Sequence, residues 1–317
     1  MLTLSQEIIR GRRLTRADDL SVFVTAPLDE LAEGADRIRQ ALCGNRGDLC
    51  SIVNARSGRC GEDCRFCAQS CHYHTKIEEY PFLDAESIRK EFHTNRDGGV
   101  HRFSMVTAGR SLRGEDLEQA LSAYRQLKQE GGMELCASHG LQTEEEFRRL
   151  KEAGVSRAHI NLEACRRYFS QICSTHTYDD KLRNIARARA AGLEVCSGGI
   201  IGMGETWEDR LDLAVSLAEL QIQSIPINVL RPIPGTPLGH LKPISNEDVR
   251  RTVAFFRYLN PTAFIRMAAG RGQFPDGGEI LFRSGANSAI TGDMLTTTGT
   301  SIAGDIQMFQ KLGYTVK

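Results

Sequence analysis

Three cysteines fall within eight residues of the segment Ser57-Gly-Arg-Cys-Gly-Glu-Asp-Cys-Arg-Phe-Cys-Ala-Gln-Ser70: Cys60, Cys64 and Cys67, spaced C-x3-C-x2-C. Three thiolates on one loop can face a common centre. A four-iron cubane is ordinarily held by four protein thiolates, so a triad leaves one iron open to a small chelating ligand. Structural zinc is the rival reading; it asks for four Cys/His ligands, and Cys71, His72 or His74 could complete the set. Zinc sites more often pair two close dyads than one uneven triad, which weighs against it. Inert buried cysteines fit less well still, because Arg, Glu and Asp interrupt any apolar face here.

The background composition suits intracellular metal chemistry. Ten cysteines among 317 residues fall well below the density of a disulfide scaffold, and a reducing cytosol keeps thiols free. Forty Lys+Arg balance forty Asp+Glu, so no excess positive field draws nucleic acid or anionic lipid, and neither is expected as a partner. No apolar run approaches the roughly 20 residues that cross a bilayer, and the amino end lacks the apolar core of a secretion signal. A cytoplasmic protein is expected.

The elements that must position the triad follow from hydrophobic patterning. Short runs rich in β-branched residues alternate with segments of helical period, and eight runs read as strands: Ser51–Gly58, Arg102–Ala108, Glu134–Ser138, Arg157–Ala164, Glu194–Gly202, Ser224–Pro232, Ala263–Gly270 and Gly285–Thr291. Between them, Leu117, Leu121, Tyr124 and Leu127 form one helical stripe; Leu182, Ile185 and Arg189 form another, and Leu213, Leu217 and Leu220 a third. Thr143 with Glu146 reads as a capping box, and Gly154 and Gly192 as helix stops. Eight alternations favour an α/β fold of the closed (β/α)8 TIM type over an open doubly wound sheet. The expected division is an N-terminal helical extension over 1–48 closing one barrel end, a barrel over 49–295 and a C-terminal extension over 296–317.

In such a barrel, reactive groups gather where strands end. Cys60, Cys64 and Cys67 follow the first strand, Cys136 lies in the third, Cys165 and Cys173 follow the fourth, and Cys196 lies in the fifth. Gly198, Gly199 and Gly202 would let backbone approach a ligand, or serve tight turns. Asn161 and Asn228 end strands and offer both donor and acceptor; a satisfied core amide is an equal alternative for each.

The triad, with Phe66 just before its last cysteine, resembles the radical S-adenosylmethionine superfamily. That resemblance implies that the open iron chelates the amino and carboxylate groups of S-adenosylmethionine, whose cleavage yields a 5′-deoxyadenosyl radical. Further segments resemble the biotin synthase family in its order: Thr175-His-Thr-Tyr178, Cys196-Ser-Gly-Gly-Ile-Ile-Gly-Met-Gly-Glu-Thr206, Pro226-Ile-Asn-Val-Leu230, Gly235-Thr-Pro-Leu238, Arg266 with Ala269-Gly-Arg271, and Gly285-Ala-Asn-Ser288. The likeness runs from about Ser51 to the C-terminus. It implies sulfur insertion into dethiobiotin, with a 4Fe-4S cluster on Cys60, Cys64 and Cys67 and an auxiliary iron–sulfur cluster supplying sulfide. It further implies S-adenosylmethionine contacts at Phe66, Thr107, Ala108, Gly109, Asn161, Glu163, Gly198, Gly199, Gly202 and Asn228. Substrate contacts are implied at Arg56, His159, Asn161 and Asn228, with Arg56 on the substrate carboxylate. An electron donor such as flavodoxin or ferredoxin, the iron–sulfur assembly machinery and a second copy in a homodimer are the implied partners.

One departure matters. The family's auxiliary cluster is held by three Cys and an Arg; Cys136, Cys196 and Arg266 match three of these, but the fourth position is Ser104, a harder and poorer iron ligand. The expectation is an altered auxiliary cluster, with room for four irons, completed by Cys173 or by Cys165, which shares strand parity with Asn161 and Glu163. Cys173 is preferred because it adjoins a retained motif. Cys43, Cys50 and Cys71 are read as bystanders.

Overall fold

The structure is a computed structural model that describes residues 1–295 and 299–316, so only the latter part of the expected C-terminal extension is covered. Parallel strands β1 (Arg46–Arg56), β2 (Arg102–Thr107), β3 (Glu134–Ser138), β4 (Val155–His159), β5 (Glu194–Cys196), β6 (Gly199–Ile201), β7 (Ser224–Val229), β8 (Phe264–Met267) and β9 (Ser288–Ile290) succeed one another round the sheet. β5 and β6 are two pieces of one stave, both pairing with β7. β9 pairs with β1 through Asp48, Leu49 and Cys50, which closes eight staves into the TIM-type barrel that the alternation implies.

Outside the staves lie α4 (Ala85–Asp97), α5 (Gly114–Glu130), α6 (Glu144–Glu152), α7 (Arg166–Ile172), α8 (Tyr178–Ala190), α9 (Trp207–Glu219), α10 (Asn246–Leu259) and α11 (Glu279–Phe282). Each inward stripe is apolar for the expected reason: α5 buries Leu117, Leu121, Tyr124 and Leu127, and α9 buries Leu213 and Leu217. On α8 the buried row is Asn184, Ile185 and Ala188, whereas Arg189 is exposed and donates to the Leu220 carbonyl at the neighbouring helix end. Thr143 and Glu146 form the capping box, and Thr177 and Thr206 form two more, so parts of the family-like segments are helix starts.

The first helices are α1 (Leu2–Ile9), α2 (Val22–Thr25) and α3 (Leu28–Cys43). α3 buries Leu31, Ala35 and Ile38 and packs along α10 in the outer layer. At the other terminus, α12 (Ile302–Lys311) leads into β10 (Thr315–Val316), which pairs with the start of β1. A buried Arg271–Asp305 pair at 2.7 Å ties α12 to the loop after β8.

Two staves differ from the pattern read in sequence. β4 stops at His159, and beyond it Glu163 adopts a left-handed backbone at φ +67°, which turns the chain away from extended geometry. The fifth stave breaks at Ser197 and Gly198. A Cβ on Gly198 would lie 1.9 Å from the Pro226 carbonyl oxygen, and one on Gly199 would lie 2.5 Å from that of Glu163. These glycines answer to neighbouring backbone, that of β7 at Pro226 and that of the turn at Glu163. Gly198→Ala should therefore destabilise the barrel by about 1–3 kcal/mol, read as a lowered midpoint in denaturant. An unchanged midpoint would contradict this packing role.

Candidate active site

A cavity of about 400 Å³ opens inside the barrel. Cys60, Cys64, Phe66 and Cys67 line it from the loop after β1, and Cys136, Cys196 and Arg266 line it from the strands. Thr107, Ala108 and Gly109 contribute from the end of β2. His159, Asn161 and Glu163 lie at and beyond the end of β4, and Asn228 on β7.

The cysteine loop is fixed by its own backbone and by a second segment. Cys60 N–H donates to the Gln69 carbonyl at 2.9 Å, Cys71 N–H donates to the Cys60 carbonyl at 2.8 Å, and Cys67 N–H donates to the Cys64 carbonyl at 2.9 Å. The Ser174–His176 stretch folds over this loop. Asp63 accepts from the backbone of Ser174 and Thr175 at 2.9 and 3.1 Å, while Glu62 accepts from the Thr175 hydroxyl at 2.7 Å and pairs with His176. At the other end of the cavity, buried Arg266 donates to Asp48 at 2.7 Å, and Arg102 donates to the same carboxylate at 3.1 Å.

Comparison with known proteins agrees with this chemistry. The Radical SAM superfamily model matches residues 55–217, and the Biotin and Thiamin Synthesis associated domain matches 226–315. A biotin synthase of Clostridium beijerinckii is 56% identical over 316 residues, covering 100% of both chains. The chain belongs to the biotin synthase family. A biotin synthase of Alkaliphilus metalliredigens is likewise 56% identical over 311 residues, 98% of each chain. Among solved structures, a methylornithine synthase superposes with a TM-score of 0.86 at 19% identity, covering 99% of this chain and 97% of its own. An FeFe-hydrogenase maturase reaches 0.83 at 18% identity, over 99% of this chain and 74% of its own, so both share the fold. Membership makes the chain a radical S-adenosylmethionine enzyme of sulfur insertion, and the family implies a 4Fe-4S cluster, S-adenosylmethionine and an auxiliary cluster. Among the described residues no helix is long and apolar enough to cross a membrane.

Two observations show that the residues fit such groups. Soft thiols crowd both ends of one cavity, and thiolate is the ligand that iron–sulfur clusters take. The Arg102 Nη1 is buried with no hydrogen-bond partner, an orphaned cationic donor suited to an anionic centre. Burial pushes the Cys136 thiol up, although Arg157 and Arg102 pull the other way. At Cys196 burial is outweighed by hydrogen bonding and charge from His159 together with the Arg266 and Arg157 charges, and the thiol falls to about 7.

Several residues stand elsewhere than the sequence suggests. Cys165 caps α7 after the Glu163 turn, and its thiol donates to Asp209 of α9 at 2.9 Å, outside the cavity that Cys136 and Cys196 share. The parity shared with Asn161 and Glu163 does not survive that turn. Cys173 lies 3.8 Å from Cys64, where Cys64, Cys173 and His176 offer ligand atoms within 4.8 Å of one another; it adjoins the triad and does not line the shared cavity. Arg56 donates to the Ala108 carbonyl and to Asp116 at 2.6 Å, and it is not among the residues that line the cavity. Gly198, Gly199 and Gly202 are not part of the lining; Ile200 is.

Other lining residues escape sequence reasoning. Lys181 and Arg231 bring cations to the cavity, and Cys50 faces it from β1. His139 bridges the Thr107 hydroxyl and the Tyr124 hydroxyl at 3.0 Å each and so orients a predicted cofactor contact. Parity could have found Cys50, since Cys50 and Ile52 share the inward face of β1.

Two measurements test the triad. Cys64→Ala should abolish reductive cleavage of S-adenosylmethionine, whereas Cys173→Ala should keep it within about threefold, as 5′-deoxyadenosine formed under dithionite reports; equal losses would make Cys173 a ligand. The second concerns pH. Burial pushes Cys60 up and Cys67 up to about 11, and contact with Cys173 plus burial raises Cys64, so without metal all three hold protons at neutrality. Loading must displace those protons, so iron uptake should increase between about pH 7 and pH 9 with measurable acid release. Uptake indifferent to pH would contradict it.

Proposed function

We propose that the chain converts dethiobiotin into biotin inside this cavity, with S-adenosylmethionine at the cysteine-loop end and sulfur supplied from the Cys136, Cys196 and Arg266 end. The observation that carries this is a single cavity with thiols at both ends, so that a substrate between them can meet a radical source and a sulfur source. When bound, the two clusters and S-adenosylmethionine supply the adenosyl radical and the sulfur atom; the remaining roles belong to the protein.

Cys60, Cys64 and Cys67 are assigned to the first cluster, with Phe66 beside it. Thr107, Ala108, Gly109 and Glu163 are the contacts for S-adenosylmethionine. Asn161 accepts from Gly198 N–H at 3.0 Å and Asn228 accepts from Ala269 N–H at 3.2 Å. Each amide is therefore held by a neighbouring stave while its residue lines the cavity, a fixed orientation suited to a ureido ring or a ribose. His159 lies beside Cys196 in register, where the substrate's reacting carbons would sit. Lys181 and Arg231 take over from Arg56 as the cations for carboxylates. A flavodoxin or ferredoxin is the electron donor of this reading, and iron–sulfur assembly proteins load the sites.

The deciding experiment is anaerobic turnover of reconstituted protein with S-adenosylmethionine, a low-potential reductant and dethiobiotin, quantifying biotin and 5′-deoxyadenosine together. Biotin formed with 5′-deoxyadenosine supports the reading; 5′-deoxyadenosine alone, with dethiobiotin returned intact, would sink it. Arg231→Gln and Lys181→Gln should each raise a KM, for dethiobiotin or S-adenosylmethionine, by about tenfold, the worth of a hydrogen bond to a charged group. Arg56→Gln should leave both KM values unchanged.

A further inference from the structure

We infer that Cys50 on β1 is the third thiolate of the auxiliary cluster, completing a ligand set of Cys50, Cys136, Cys196 and Arg266. The inference rests on the second-cluster reading above and goes beyond it in naming the residue that stands in for the missing cysteine at Ser104.

Barrel geometry carries it. In a closed eight-stave barrel, inward side chains form layers of four contributed by alternate staves, and the register advances by two residues from one contributor to the next. Cys50 pairs with Arg102 and Arg102 with Glu134; two residues on is Cys136. Cys136 pairs with Arg157 and Arg157 with Glu194; two residues on is Cys196. Cys196 pairs with Ser224 and Ser224 with Phe264; two residues on is Arg266. Arg266 pairs with Ser288 and Ser288 with Asp48; two residues on is Cys50 again. The circuit closes on itself, so these four side chains occupy one level of the barrel, three sulfurs and one guanidinium.

Ser104 belongs to a different level. Followed in the same way, its layer consists of Ser104, His159, Pro226 and Ile290, one step toward the strand C-termini. The layer on the opposite side of the thiols is Arg102, Arg157, Ser224 and Ser288, and it supports them. There the Ser224 hydroxyl donates to Cys196 sulfur at 3.3 Å, and Arg102 keeps its unpartnered Nη1. Cys50 is free, buried and part of the cavity wall. A bland apolar filler has no reason to complete a level whose other members are soft or cationic ligands. A thiolate binds iron better than the serine oxygen does.

The test uses the full chain carrying C60A, C64A and C67A, so that any iron left after anaerobic reconstitution reports the second cluster alone, counted chemically and typed by Mössbauer spectroscopy. Adding Cys50→Ser, a near-isosteric change, should lower that iron at least about tenfold. Adding Ser104→Ala, Cys165→Ala or Cys173→Ala should leave it unchanged, and circular dichroism should report the native fold throughout. Iron retained in the Cys50→Ser protein, or lost in the Ser104→Ala protein, overturns the inference. Should Cys50→Ser not fold, selenocysteine at position 50 decides the matter instead: perturbed Mössbauer parameters support the inference and unperturbed ones overturn it. No residual iron in the triple variant itself would instead overturn the second-cluster reading of the function.

Discussion

A parallel sheet can close on itself only if its strands are staggered, and that stagger decides which side chains share a level of the interior. Everything at the centre of this protein depends on it. Residues from β1, β3, β5 and β8, far apart in the chain, meet because each is displaced by two places along its strand relative to the last. The close contacts of Gly198 and Gly199 with neighbouring backbones belong to the same constraint, since a side chain there would pry the broken stave from its partners. Packing and chemistry are thus settled by one geometric condition.

Closure also sets the electrostatic problem. A barrel interior is poor at solvating charge, and burial opposes ionisation of Cys50, Cys136 and the rim thiols. Positive charge is supplied from other staves, β2, β4 and β8. Arg266, Arg102 and Arg157 all lie within the cavity wall, and Asp48 holds two of them. Burial drives Asp48 up, but Arg266 and Arg102 overcome it and hold the carboxyl below its usual range. A buried guanidinium without such a partner would be costly, so the Asp48 carboxylate keeps Arg266 charged and aimed at the level of the thiols.

The rim is stabilised differently. Its thiols sit on a loop, and a loop holds its shape only when backbone groups find partners. Asp63 and Glu62, embedded in the cysteine spacing, provide them by capturing Ser174, Thr175 and His176. The acidic residues between the cysteines are thus the clamp that joins the loop to the segment after β4. Their presence argues against an apolar filler in the sequence, and the contacts give the physical reason for it.

The cysteine triad, the eightfold alternation, the capping box at Thr143 and the likeness to a family could all be read from residue type and spacing, because each is a local pattern with a local cause. Strand count follows from such patterns, and with it the barrel. Misreadings arose wherever a decision depended on a neighbour distant in sequence. Parity along β4 pointed Cys165 inward, but the left-handed turn at Glu163 redirects it to Asp209; nothing local distinguishes that residue from an extended one. Arg56 has the right charge for a carboxylate, yet its contacts with Ala108 and Asp116 hold it outside the cavity lining. Cys50 carries no motif of its own. Elements and reactive residue types are legible in the chain read linearly, since hydrophobic period and ligand spacing are properties of short segments. Which thiols share a level emerges with the folded barrel alone, because register between strands is a relation among segments that no single segment contains.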